Sequence, residues 1–180
     1  MGGVNPAGSQ REHFFRAVLV LMLGLAGLAG RPVDGLTVRG EDGRELFRAV
    51  MPLGREYATR YEHSVQKTPV EDYYKVIRGR IWGVRERVQS HNAGLPFAAP
   101  EGGRFILDPP WMIVEGGRQS WPVIHLRVGD SRWGRNEMRL GQAPWRPLYS
   151  DFAGRRLSFR PEKTTLRRIG DAAHAGQERS

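Results

Sequence analysis

Ile81-Trp-Gly-Val-Arg-Glu-Arg-Val-Gln89 alternates in side-chain character along almost its whole length. Successive side chains of an extended strand point to opposite faces. Trp82, Val84, Glu86 and Val88 are therefore expected on one face, and Arg85, Arg87 and Gln89 on the other. A period of two belongs to a half-buried strand and not to a helix. Glu86 falls on the apolar face, so that position is expected to be partly open or to have a partner.

The same signal recurs on both sides. Upstream, Leu36–Arg39, Arg44–Met51, Tyr57–His63 and Glu71–Ile77 read as strands. They are separated by Glu41-Asp-Gly43, Pro52-Leu-Gly54 and Pro69, which are turn and breaker signals. Downstream, Arg104–Leu107, Trp111–Val114, Trp121–Val128, Glu137–Leu140 and Arg155–Phe159 continue the pattern. About eight short strands at roughly ten-residue spacing predict an all-β fold, a single sandwich or barrel-like domain over residues 31–160. No βαβ alternation is present, which disfavours nucleotide-binding α/β folds. His91-Asn-Ala-Gly-Leu-Pro96 and Ala99-Pro-Glu-Gly-Gly103 form a loop in the middle. Residues 161–180 are polar and basic, without a core-forming pattern, and are expected to be a disordered tail.

The chain has 180 residues, 28 Lys plus Arg, 19 Asp plus Glu and no cysteine. The absence of thiols excludes disulfides, thiolate metal sites and a catalytic cysteine. A net charge of +9 is compatible with anionic partners. The basic residues are nevertheless interleaved with acids and form no recognition motif, so nucleic acid is not expected as a partner.

Arg16 directly precedes an apolar run from Ala17 to Gly30, which Arg31-Pro32 ends. A basic flank, a short apolar stretch and small residues at its end match a secretory signal. The 14-residue run falls short of the ~20 residues a spanning helix needs. Residues 1–30 are therefore expected to be a signal peptide, with a membrane anchor as the alternative if the helix is not cleaved. Either way the domain is expected in the periplasm or otherwise outside the cytoplasm.

The candidate chemistry concentrates in Tyr61-Glu-His-Ser-Val-Gln-Lys-Thr-Pro-Val-Glu71. Strand alternation separates His63 from Ser64, so the two cannot form a nucleophile–base pair within a regular strand. A serine nucleophile would need a base from elsewhere, such as His91, and an orienting carboxylate such as Glu71 or Glu86. No nucleophile-elbow motif supports this. The simpler reading is that Ser64 and Thr68 hydrogen-bond backbone around the Pro69 turn. His63, Glu71, His91 and His125 lack the spacing of a known metal site, so neither a metal nor another cofactor is expected. Lys67 and Glu71 flank the turn and read as an exposed ion pair. Alternatively, Lys67 and Thr68, helped by His63 and neighbouring arginines, form a lip that takes a carboxylate. The ligand-binding candidates are therefore His63, Ser64, Lys67, Thr68, Glu71, Arg85 and His91.

This segment, followed by Ala93-Gly-Leu-Pro96, resembles the bacterial family called domain of unknown function 1850 over roughly residues 35–145. Two departures stand out: Gln66 occupies a position that is usually acidic, and Glu71 follows Val70 directly. The resemblance implies a small exported protein encoded beside TAXI-type TRAP transporters, which take up organic acids. It implies no catalytic residues. The expected function is that of a non-enzymatic accessory to such a transporter, with its solute-binding protein or permease as partner. A hydrolase or metal-dependent enzyme using Ser64 or His63, and an envelope structural or interaction module, are the alternatives.

Overall fold

The computed structural model describes residues 15–22, 27, 31–52, 54–89, 99–117 and 119–165. Among these, twelve strands and two short helices are present, where the spacing of turn signals predicts about eight strands. The first helix, α1, covers 15–22 and is exposed along its length. The strands are β1 (Pro32–Arg39), β2 (Glu45–Val50), β3 (Glu56–Glu62), β4 (Pro69–Ile77), β5 (Arg80–Val88), β6 (Gly103–Asp108), β7 (Trp111–Gly116), β8 (Ser120–Trp121), β9 (Ile124–Arg127), β10 (Glu137–Leu140), β11 (Arg146–Pro147) and β12 (Arg156–Thr165). One turn of helix, α2 (Tyr149–Phe152), lies between β11 and β12. β12 runs past the expected boundary at 160, into the start of the predicted tail.

Residues 34–163 form one compact unit, and the described residues outside that range belong to a second. Of the expected signal segment, only 15–22 and 27 are described, as helix. The end of that expected segment, 28–30, lies outside the described residues. Among the described residues no helix is long and apolar enough to cross a membrane.

The β-unit is a two-sheet sandwich. One sheet has the order β2-β1-β12-β9; the other has the order β11-β10-β3-β4-β5-β7-β6, with β8 paired to β5. The pairs β1–β2, β9–β12, β3–β4 and β4–β5 are antiparallel, as is usual in hairpin-rich sandwiches. The main core takes Leu36 and Val38 from β1, Leu157 and Phe159 from β12, and Tyr57, Val76, Ile81 and Met138 from the larger sheet. Tyr57 stacks against Tyr74 at 5.0 Å and against Phe159 at 5.8 Å. Each such side chain removed from water contributes about 1.5–3 kcal/mol. A second cluster of Val70, Val88 and Met112, with Tyr61 and Phe105 packed on it, extends the larger sheet's apolar face.

β5 departs from simple alternation. Tyr73 pairs with Arg85 and Tyr74 with Gly83, so Val84 is an extra residue, a β-bulge. The bulge changes the parity of the strand. Ile81 and Gly83 share the core-side face with Glu86 and Val88, because their partners Val76, Tyr74, Asp72 and Val70 alternate without interruption. Trp82, predicted beside Glu86, instead lies on the face of Arg85 and Arg87. Glu86 does face inward, as its spacing predicts, and it faces another acid, Asp72.

Candidate anion-binding face

The outward face of the larger sheet is built from side chains brought into line by register. One row crosses the strands as Glu137, Arg60, Glu71, Arg87 and Ile113. Acid and base alternate, and each acid meets a neighbour. Arg60 Nε donates to Glu137 Oε2 at 2.6 Å, and Arg87 Nη1 donates to Glu71 Oε2 at 3.0 Å. Arg60 Nη1 lies 3.9 Å from Glu71 Oε1. Glu71 is 4% exposed, so this carboxylate belongs to the interior of the face. Its expected exposed ion pair with Lys67 does not form; the strand direction carries Glu71 beneath the arginines instead.

The next row is Arg139, Ala58, Tyr73, Arg85, Glu115 and Arg104. Ala58 is small, so Arg139 reaches across it and its Nη2 donates to the Tyr73 hydroxyl at 2.7 Å. That hydroxyl in turn donates to Glu71 Oε2 at 2.6 Å and accepts from Arg87 Nη1 at 3.3 Å. Arg85 Nη2 donates to Glu56 Oε2 at 2.8 Å, and its Nη1 is 3.5 Å from Glu115 Oε1. Arg104 and Arg85 hold the Glu115 carboxyl below its usual range, despite some burial. The guanidinium planes rest on aromatic rings: Arg85 lies 4.2 Å from Tyr73, Arg87 4.2 Å from Trp111, and Arg60 and Arg139 4.5 Å from Trp145. Such stacking orders the side chains that would contact a ligand.

This second row carries a surplus of cations. Arg139 makes no ion pair among the described residues, and the Nε atoms of Arg139 and Arg85 are buried without an acceptor. Both arginines line an open groove of about 530 Å³ with Arg55, Arg87, Tyr73 and Gln142; Glu56 and Asp108 also line it. Arg85 and Arg87 are paired with Glu56, Glu115 and Glu71, so the groove's cations without a carboxylate among the described residues are Arg55 and Arg139. Arg55 is exposed and donates through Nη1 to the Val50 carbonyl at 3.1 Å.

The signature turn lies elsewhere. His63 N donates to Thr68 O at 2.9 Å, and Lys67 N to His63 O at 3.0 Å. His63 Nδ1 accepts from the backbone N–H groups of Val65 and Gln66 at 3.2 and 3.3 Å. The turn-capping role expected of the Ser64 and Thr68 hydroxyls is filled by this imidazole. Its Nδ1 lone pair is occupied, and Ser64 is exposed. Lys67 adopts φ 54°, and its ammonium sits 4.1 Å from the centre of the Trp133 ring. Of the seven predicted site residues, Glu71 and Arg85 thus fall on the arginine face. His63, Ser64, Lys67 and Thr68 form the turn, and His91 lies outside the described residues. His125 sits on β9 in the other sheet, and no three His, Asp or Glu side chains converge among the described residues. Sequence reasoning missed Tyr73, Arg87 and Arg139. Their signal was present as the alternation of Glu71, Tyr73 and Lys75 opposite Arg85 and Arg87, but only register joins Arg139 to them.

A second cluster lies on the opposite face of the same strands. Asp72 and Glu86 are cross-strand partners and make no ion pair among the described residues. Burial, then the neighbouring Glu86 charge, pushes Asp72 up to about 7; burial also raises Glu86. The pair lines a cavity of about 250 Å³ with Tyr74, Val114, Gln119 and Trp121. The Trp121 ring covers Gly83, where a Cβ would come within 3.2 Å of it.

The model of the family described as Domain of unknown function (DUF1850) matches residues 58–143. The matched stretch begins on β3 and ends just after β10, so it carries Tyr73, Arg85, Arg87 and Arg139. No match was found among curated proteins or among solved structures.

Proposed function

We propose that this member of the DUF1850 family is a non-enzymatic binding module for small organic acids, held by the arginine face of its larger sheet. The observation that carries the reading is Arg139. It is a half-buried guanidinium with no carboxylate partner among the described residues, stacked on Trp145 and facing a groove it shares with Arg55, Arg85 and Arg87. A planar guanidinium pairs with a carboxylate through two parallel hydrogen bonds, which suits a dicarboxylate better than a neutral solute. Positions near a surface also favour it, because charge pairs there gain from a dielectric below that of water.

The export-type N-terminus and the family resemblance support a reading in which this module works outside the cytoplasm, as an accessory that assists a TAXI-type TRAP transporter in taking up such acids. Its partner would be the solute-binding protein or the permease. Hydrolysis by Ser64 and His63 draws no support from the geometry: the serine is exposed in a turn, and the imidazole is engaged with backbone N–H groups.

The test is a thermal-shift and calorimetric screen of the full chain with succinate, malate and citrate. A dicarboxylate at one hundred times its dissociation constant should stabilise the fold by about 2.7 kcal/mol. Arg139→Gln should weaken binding at least ten-fold, which is the loss of one charge-assisted pair, with little effect on the melting temperature of the free protein. A flat screen, or Arg139→Gln that binds like wild type, overturns the reading. Crosslinking followed by recovery of transporter subunits tests the accessory role separately.

A further inference from the structure

Two turns meet at one end of the larger sheet. The first is the 63–68 turn; the second follows β9 through Asp130 to Gly134 and closes with an Asp130–Gly134 bridge. Glu62 N donates to Gly134 O at 2.8 Å, and Lys67 lies over the Trp133 ring, so the turns are locked side by side. The second turn is tightly built. Asp130 Oδ1 accepts from the N–H groups of Arg132 and Trp133, both at 2.7 Å, and a Cβ on Gly129 would come within 1.9 Å of the Trp133 carbonyl oxygen. Lys67 and Arg135 both hold positive φ, at 54° and 38°, without being glycine. Such conformations cost about 1–3 kcal/mol each and persist where the surroundings fix them.

This rigid tip presents apolar surface. Val65 is 73% exposed and Trp133 is 58% exposed, the only exposed large apolar side chains in either turn. The basic side chains of Lys67, Arg132 and Arg135 surround them and are exposed. Asp130, the acid nearest Trp133 in sequence, is exposed, and its Oδ1 is engaged by the backbone N–H groups of Arg132 and Trp133. Nearby, Arg127 on β9 stands directly opposite Arg156 on β12, and neither makes an ion pair among the described residues. Like charges in direct cross-strand register are destabilising, and the acid beside them is Glu41, whose Oε1 accepts from Arg156 N at 2.9 Å.

From this arrangement we propose that the paired turns are a contact site for an anionic bilayer surface. An indole with its polar edge in the headgroups and its ring among the upper acyl chains is the usual membrane-interface anchor, and Val65 adds an aliphatic contact beside it. Lys67, Arg132 and Arg135 stand where lipid phosphates would meet them. A basic residue at such a surface tightens binding about five-fold. A solute in the arginine groove involves none of these side chains, so the two sites are separately testable.

The experiment uses the full chain with vesicles of phosphatidylglycerol mixed with dibrominated phosphatidylcholine. The residue 17–30 run contains no tryptophan, so quenching of indole emission reports the β-unit and not that segment. Trp133 is the exposed one of the five tryptophans, and its emission is expected to be quenched. Trp133→Ala should abolish the quenching, and Lys67→Glu with Arg132→Glu should weaken it at least ten-fold. Both variants should melt like wild type. Sedimentation with vesicles without quenching would mean that the N-terminal run alone holds the chain to lipid, and would overturn the proposal. Equal quenching by purely zwitterionic vesicles would overturn the electrostatic part.

Discussion

Glu71→Ala is expected to lower the unfolding free energy by about 3–5 kcal/mol, the cost of breaking a buried ion pair from one side. The carboxylate accepts from Tyr73 OH and Arg87, and Arg60 approaches its other oxygen. Its removal leaves Arg87 without its carboxylate and deprives the Tyr73 hydroxyl of its acceptor. Domains of this size have only about 5–15 kcal/mol in total. The variant should therefore melt some 10–20 °C lower by calorimetry. Glu71→Gln keeps an acceptor for the phenol and should lose roughly half as much. Ser64→Ala, at an exposed turn position, should stay within about 0.5 kcal/mol of wild type. Equal melting of Glu71→Ala and wild type would show that Glu71 is not the hub of the face.

The second large effect is a dependence of stability on pH set by Asp72. Its folded-state value is raised from 3.8 to about 7, by burial first and by Glu86 second. The folded chain therefore holds a proton over that interval which the unfolded chain has released. Stability then falls as pH rises from about 4 to above 7, by roughly 2–4 kcal/mol for this group alone. Glu86, also raised, acts in the same direction. The lowered carboxyls of Asp34, Glu115 and Glu162 act in the opposite one, contributing stability above about pH 4 that is lost on further acidification. Urea midpoints measured from pH 3 to pH 9 should peak near pH 5. Asp72→Asn should flatten the alkaline limb and be the more stable protein at pH 8. An unchanged limb in that variant would remove Asp72 as its cause.

Much of this architecture was legible in the chain because burial on one side leaves a period-two trace. Tyr57–Tyr61, Val70–Val76 and Leu157–Phe159 show it, and the all-β class follows from their spacing. Two of the additional strands, Ser120–Trp121 and Arg146–Pro147, have only two residues, too short to show any period. The face of Trp82 was misassigned because a bulge leaves no compositional mark. The site was less legible still. Glu71 and Arg85 were picked out, but for a turn they do not join. Arg139 owes its position to register across three strands, which local sequence does not encode. The crowd of reactive side chains at 61–71 drew attention because proximity along the chain resembles proximity in space. Strand geometry sends Glu71 to the sheet face and leaves His63 capping its own turn.

The extra residue at Val84 gives β5 the behaviour of a reading frame. Residues before it are in one phase and residues after it in the other, so a one-codon deletion of the bulge residue itself would leave a regular strand with the same faces, Gly83 still opposite Tyr74 and Arg85 still opposite Tyr73. Loss or gain of a residue at a paired position, from Arg85 to Val88, has no such slack: it would turn the residues beyond it to the other face, or force the strand to slip against β4. Chains that lack the residue between Gly83 and Arg85 should therefore keep both the arginine face and the acid pair, whereas a length change between Arg85 and Val88 should disturb both together.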